Sequence, residues 1–98
     1  MTEPNGTERD DIVLDSVTLR ATVQGVVVVL TPTEFRLLEH LLRHAGQVCT
    51  RAELIRAVIG AGAQVQERTI DVHVNALRRK LGDRHGIETV RGRGYRCR

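Results

Sequence analysis

At 98 residues, 41% of them hydrophobic, the chain has material for one domain around one core and too little for two. Phe35 and Tyr95 are its only large aromatic side chains, so the core must be built from Leu, Val, Ile and Ala, and single-strand binding by base stacking has almost no platform. The net charge of +3 is unevenly spread: residues 1–15 carry −4, residues 16–65 carry +2 and residues 66–98 carry +5. A basic end on a small domain suits a polyanionic partner, although a solvated charged surface carries the same signature. Two cysteines, Cys49 and Cys97, without CxxC spacing, do not form a disulfide framework and read as reduced thiols. No stretch is apolar enough to span a membrane and the N-terminus lacks the regions of a signal peptide, so the expected compartment is the cytoplasm, with no membrane partner.

Residues 1–11 are polar and acidic, and are expected to form a mobile tail or linker remnant ahead of one domain over residues 12–98. Ile12–Leu14 is a short apolar run. Val17, Leu19, Ala21 and Val23 then alternate with polar residues at the strand period, Gly25 offers a turn, and Val26–Leu30 is a β-branched block. Three or four short antiparallel strands with one buried face follow from this pattern. At Thr31 the period changes. Thr31-Pro-Thr-Glu34 combines a capping box with proline in the first turn, and Phe35, Leu38, Leu41, Leu42 and Ala45 follow at helical spacing up to Gly46. A second capping box, Thr50-Arg-Ala-Glu53, opens a helix striped by Leu54, Ile55, Val58 and Ile59 and ended by Gly60. After a small-residue loop over 60–66, a third helix runs from about Glu67 to Leu81, with Ile70, Val74, Leu77 and Leu81 on one face and Gly82 as its stop. The end of the chain, Ile87 to Cys97, reads as a β-hairpin around Gly92-Arg93-Gly94.

On the third helix, the face opposite the apolar stripe carries Arg68, Val72, Asn75 and Arg79, with Ala76 beside them and Thr69 and Asp71 at its flanks. Guanidinium, amide and methyl groups suit base edges in a major groove, yet an ordinary amphipathic surface helix has a similar outer face. The hairpin adds Arg91 and Arg93 around glycines, and slim arginine tips suit a narrow, electronegative minor groove. A basic helix followed by a basic wing, next to two shorter helices, is a winged helix-turn-helix arrangement.

Three blocks carry a wider likeness: Thr31-Pro-Thr-Glu-Phe-Arg-Leu-Leu38, the run from Glu67 to Leu81 (ERTIDVHVNALRRKL), and Thr89-Val-Arg-Gly-Arg-Gly-Tyr-Arg96. In order and spacing they resemble the winged-helix effector domain of OmpR/PhoB-type bacterial response regulators, over roughly residues 12–98. The resemblance implies an α+β fold: an N-terminal antiparallel sheet of four strands, a three-helix bundle and a C-terminal hairpin wing. It implies no catalysis and no cofactor, and double-stranded promoter DNA as the partner, bound as two domains in tandem on direct repeats. Helix 67–81 would lie in the major groove and wing 87–97 in the minor groove. Matched to the family, Arg68 is a phosphate contact, Thr69, Val72, Asn75 and Ala76 make base or backbone contacts, and Arg78 meets the DNA backbone. Thr89 and Arg91 are wing contacts, with Arg91 the minor-groove reader, and Asp71 is an acid that buttresses arginines. With Arg79 and Arg93 from the basic faces, these residues form the candidate DNA-binding set. Residues 60–66 correspond to the loop that touches RNA polymerase in some members, and Gly60-Ala-Gly-Ala63 is chemically blander than many such loops. Asn75 and Ala76 stand where several relatives carry arginine, and Ile59 where tryptophan is common. No acidic receiver pocket can be assembled from these residues, which leaves an effector domain of a longer protein or a different native context.

His40 and His44, four apart on one helix, could share a metal ion, but no cysteine or carboxylate set completes ligand spacing and the reading is no metal site. No nucleophile motif, P-loop or dinucleotide fingerprint occurs. The alternative to DNA is a winged helix used as a protein-interaction module, since fold does not fix function.

Overall fold

The computed structural model describes residues 8–9 and 12–98, with the backbone alone for Glu8, Arg9 and Arg84. Strands β1 (Glu8–Arg9), β2 (Ile12–Asp15), β3 (Arg20–Val23) and β4 (Val26–Val29) form an antiparallel sheet in that order. Helix α1 (Pro32–Arg43) follows, then β5 (Cys49–Thr50). Helix α2 (Arg51–Leu54) is continued by a π-helical turn (Ile55–Ile59), closed by the Gly60 N–H donating to the Ile55 carbonyl at 2.9 Å. Helix α3 (Arg68–Leu81) leads into the hairpin of β6 (Ile87–Val90) and β7 (Gly94–Cys97). The hairpin is the larger part of a second sheet, ordered β5-β7-β6.

Alternation sets the first sheet. Ile12, Leu14, Ala21 and Val23 point into the core while Val13, Asp15 and Arg20 face outward. Two details depart from the sequence reading. The alternating run from Val17 becomes strand only at Arg20, because Asp15 Oδ1 accepts from the Val17 and Thr18 N–H groups at 2.9 and 3.4 Å and turns the chain there. The valine block is an edge strand, with Val26, Val27 and Val29 exposed rather than buried. Within the expected tail, Glu8–Arg9 pairs with Ile12–Val13 through backbone alone, extending the sheet without needing apolar side chains; the rest of that tail lies outside the described residues.

Both capping boxes form as expected. Thr31 Oγ1 accepts from the Glu34 N–H at 3.1 Å and Glu34 Oε1 accepts from the Thr31 N–H at 3.0 Å; Thr50 and Glu53 repeat the exchange. Leu37, Leu38 and Leu41 of α1 and Ile70, Val74 and Leu77 of α3 are fully buried, and α1 packs on both α3 and the second helix. Glu34 is buried between them, and its Oε1 also accepts from Lys80 Nζ at 2.6 Å. One carboxylate therefore caps α1 and ties it to the last turn of α3.

Burial alone would push the Glu34 carboxyl up, but the hydrogen bonds from Lys80 and Thr31 and the Lys80 charge outweigh it and hold its pKa below the usual value. A group that binds its proton more weakly when folded adds stability above its unfolded pKa and loses it as pH falls through the folded value. Denaturant melts should therefore show stability falling below about pH 4–5. Glu34→Gln, which can still cap, is expected to cost about 1–2 kcal/mol at pH 7 and to flatten that acid limb. An unchanged acid limb in Glu34→Gln would remove this carboxylate from the explanation.

Candidate nucleic-acid interface

The 4-3-4 spacing of Ile70, Val74, Leu77 and Leu81 anchors α3 to the core, all four at 5% exposure or less. Opposite them Arg68, Val72, Asn75 and Arg79 are exposed, and Thr69 and Ala76 are half-buried. Val72 is 60% exposed, a β-branched apolar side chain left in water in the middle of this face. The wing does not fold over it.

The hairpin turn carries Arg91 and Arg93 in the open on either side of Gly92, whose φ is +73°. The Arg93 N–H donates to the Val90 carbonyl at 2.9 Å and closes the turn. Gly94 serves a different purpose from the slim tip expected for it. It is buried opposite Thr50, and a Cβ there would stand 2.0 Å from the Cys49 carbonyl oxygen. Only glycine lets β7 pair with β5, and so lets the wing attach to the start of α2.

The hairpin is held to α3 by a polar clasp. Asp71 Oδ1 accepts from Tyr95 Oη at 2.5 Å and from Arg51 Nε at 2.8 Å, joining α3, β7 and α2 at one oxygen. The guanidinium carbons of Arg51 and Arg78 each lie 5.4 Å from the Tyr95 ring centre. One turn from the end of the apolar stripe, Arg78 Nη2 donates to the Ile87 carbonyl at 2.9 Å and to Thr89 Oγ1 at 2.8 Å. Its Nε is buried and makes no hydrogen bond. Burial would raise the Asp71 pKa, but the hydrogen bonds from Tyr95 and Arg51, and the charges of Arg51 and Arg68, hold it below the usual carboxylate range. Burial first, and then the bond to Asp71, push the Tyr95 hydroxyl up, so the pair stays phenol and carboxylate at neutral pH.

A helix with an open mixed face thus stands beside a hairpin with an arginine tip. Residues 25–97 match the family model described as "Transcriptional regulatory protein, C terminal". The chain belongs to that family. It is an OmpR/PhoB-type winged-helix DNA-binding domain of transcription regulation, a class of regulators and not of enzymes. Over 87 residues it is 40% identical to the phosphate regulon transcriptional regulatory protein PhoB of Pseudomonas aeruginosa, covering 87% of this chain and 38% of PhoB. The chain thus spans well under half the length of that relative. The DNA-binding domain of CpxR from E. coli superposes with a TM-score of 0.79 at 40% identity, over 92% of each chain. The Klebsiella pneumoniae RstA DNA-binding domain, solved in complex with the RstA box, gives 0.80 at 31% identity, over 92% of this chain and 93% of that one.

For a member of this family, the count of basic residues overstates what faces outward. Lys80 is bound to Glu34, Arg96 and Arg98 lie at 3.0 and 3.5 Å from the two oxygens of Glu88, and Arg78 is spent on the wing. Among the described residues, Arg68, Arg79, Arg91 and Arg93 make no ion pair, and all four are exposed. Of the candidate set, Arg78 and Thr89 are therefore joined to each other, while the others lie on the α3 face or the wing tip. Asp71 buttresses an arginine as the resemblance implies, but that arginine is Arg51, which in the sequence stands inside a capping box, and its other partner, Tyr95, shows in the sequence only as part of the wing. Nothing in the linear spacing, 20 residues from Arg51 to Asp71 and 24 from Asp71 to Tyr95, marks them as neighbours. Among the described residues no three His, Cys, Asp or Glu side chains group as metal ligands; His40 and His44 stack on each other with ring centres 4.2 Å apart.

Tyr95→Phe removes one hydrogen bond to an ionised carboxylate and is expected to lower stability by about 1.5–3 kcal/mol in denaturant melts. Gly94→Ala should cost about 2–4 kcal/mol, and clearly more than Gly92→Ala, whose Cβ meets nothing within 4 Å. Equal costs at the two glycines would contradict the close approach of Gly94 to β5.

Proposed function

We propose that this domain binds a promoter duplex sequence-specifically, α3 lying in the major groove and the wing tip entering the adjacent minor groove. Arg68, Thr69, Val72, Asn75, Ala76 and Arg79 make the helix contacts, and Arg91 and Arg93 the wing contacts. Arg78 and Thr89 serve the complex by holding the wing. The observation that carries this reading is the sorting of charge within the basic last third of the chain: its described arginines that are exposed and make no ion pair, Arg68, Arg79, Arg91 and Arg93, lie on the open face of α3 and on the hairpin tip. An α-helix about 10–12 Å across fits the roughly 12 Å major groove, and arginines on a glycine turn suit the narrower one. The RstA domain, similar in fold and solved with its box, supports a duplex ligand.

Two finer partners belong to the same proposal. Pairs of domains bind tandem direct repeats, which doubles the few phosphate contacts that one domain offers. Loop 60–66 is the RNA polymerase contact; its support is exposure alone, with Val65 39% exposed on an uncharged segment. A domain that reads chromosomal operators works in the cytoplasm, where the two thiols stay reduced.

Binding measured by fluorescence anisotropy against salt should give a log–log slope of about −3 to −4 per bound domain, because each arginine displaces condensed counterions. Arg68→Ala and Arg91→Ala should each shallow that slope by about 1, whereas Arg96→Ala, already paired with Glu88, should leave it nearly unchanged. A salt-independent affinity, or equal losses at Arg96 and Arg91, would overturn the assignment.

A further inference from the structure

The open face of α3 has an internal order that bears on which base pairs it reads. Taken at about 100° per residue, Arg68, Val72, Asn75, Ala76 and Arg79 share one sector, and along the axis the two arginines stand at its ends. Arg79 stands eleven positions after Arg68, so the two lie about 16 Å apart along the axis, with the centre of the face between them. The centre is left to Val72, Asn75 and Ala76, none of which is charged. Without a guanidinium or ammonium group, the centre cannot make the paired donation to the O6 and N7 acceptors of guanine, nor can it accept from cytosine through a carboxylate. It can do two other things. The Asn75 amide offers one donor and one acceptor, the pair that matches adenine N7 and N6. Val72, 60% exposed, and Ala76 offer methyl groups that match the thymine C5 methyl.

We propose that the centre of α3 is an A·T reader: Asn75 takes adenine, and Val72 and Ala76 pack on thymine methyl groups. This rests on the DNA-binding reading above and adds to it the class of base pair at the operator's core. The uncharged centre also gives the exposed Val72 a use, since an apolar side chain in water gains by covering a methyl.

The test uses the whole chain and a random-core duplex pool. Bound duplexes are selected and sequenced, and the best one is remade with each thymine in turn replaced by deoxyuracil, which lacks only the methyl. The expected result is A·T pairs at the positions facing the helix centre, with about fourfold weaker binding on deoxyuracil replacement at one or two of them. Val72→Ala, a surface change that leaves the core intact, should bind the thymine and deoxyuracil duplexes alike at one such position. Asn75→Ala should lose preference for adenine at a neighbouring one. Selection of G·C pairs there, or indifference to every deoxyuracil, would overturn the A·T reading while leaving DNA binding standing. If no duplex is enriched at all, the DNA-binding reading falls and this one with it.

Discussion

The domain depends on one carboxylate oxygen. Asp71 Oδ1 receives the Tyr95 hydroxyl from the wing and the Arg51 guanidinium from the start of α2, and Asp71 itself sits in the first turn of α3. Three elements far apart in the chain are thereby fixed to one another at a single point. The arrangement is a charge-assisted network, so its members are worth more together than singly, and a missing partner leaves the others poorly satisfied. Asp71 is partly exposed, which moderates the energy of the ion pair without weakening its geometry. What the clasp contributes is orientation: it sets where the hairpin tip stands relative to the helix face.

Two further contacts complete the frame. Arg78 ties the second half of α3 to β6 as Asp71 ties the first half to β7, so the helix and the hairpin are joined at two heights. At the other side of α3, Lys80 reaches Glu34, which in turn caps α1. These ties consume basic residues, and the cations left over are the ones turned outward. Fold stability and ligand charge are thus drawn from the same set of side chains but do not compete for the same members.

Much of this was legible in the sequence. Both capping boxes, the stripe from Ile70 to Leu81 and the glycine stop at Gly82 follow local rules, and local rules survive folding when no distant contact overrides them. The outer face of α3 was legible for the same reason, as the complement of its apolar stripe. Other features were hidden because they are set by distant partners. β5 is two residues long and exists only because β7 lies beside it. Gly94 looked like a turn glycine, yet its need comes from the Cys49 carbonyl across the sheet. Arg51 reads as part of a capping box and Arg78 as a contact to the DNA backbone, and only packing shows that both belong to the wing joint. The valine block is legible as a strand, but its composition cannot tell an edge strand from an inner one.

The central claim is that the clasp positions the wing tip for a bound duplex, and a double-mutant cycle in DNA affinity tests it most directly. Arg91→Ala, Tyr95→Phe and the double variant would be compared with the unaltered chain on a selected duplex, at a temperature where all four are folded by circular dichroism. If Tyr95 acts by holding the tip in place, loosening it weakens what Arg91 contributes, and the cycle should show a coupling of about 0.5 kcal/mol or more. Strict additivity, within about 0.3 kcal/mol, would mean that the tip finds the DNA without the clasp.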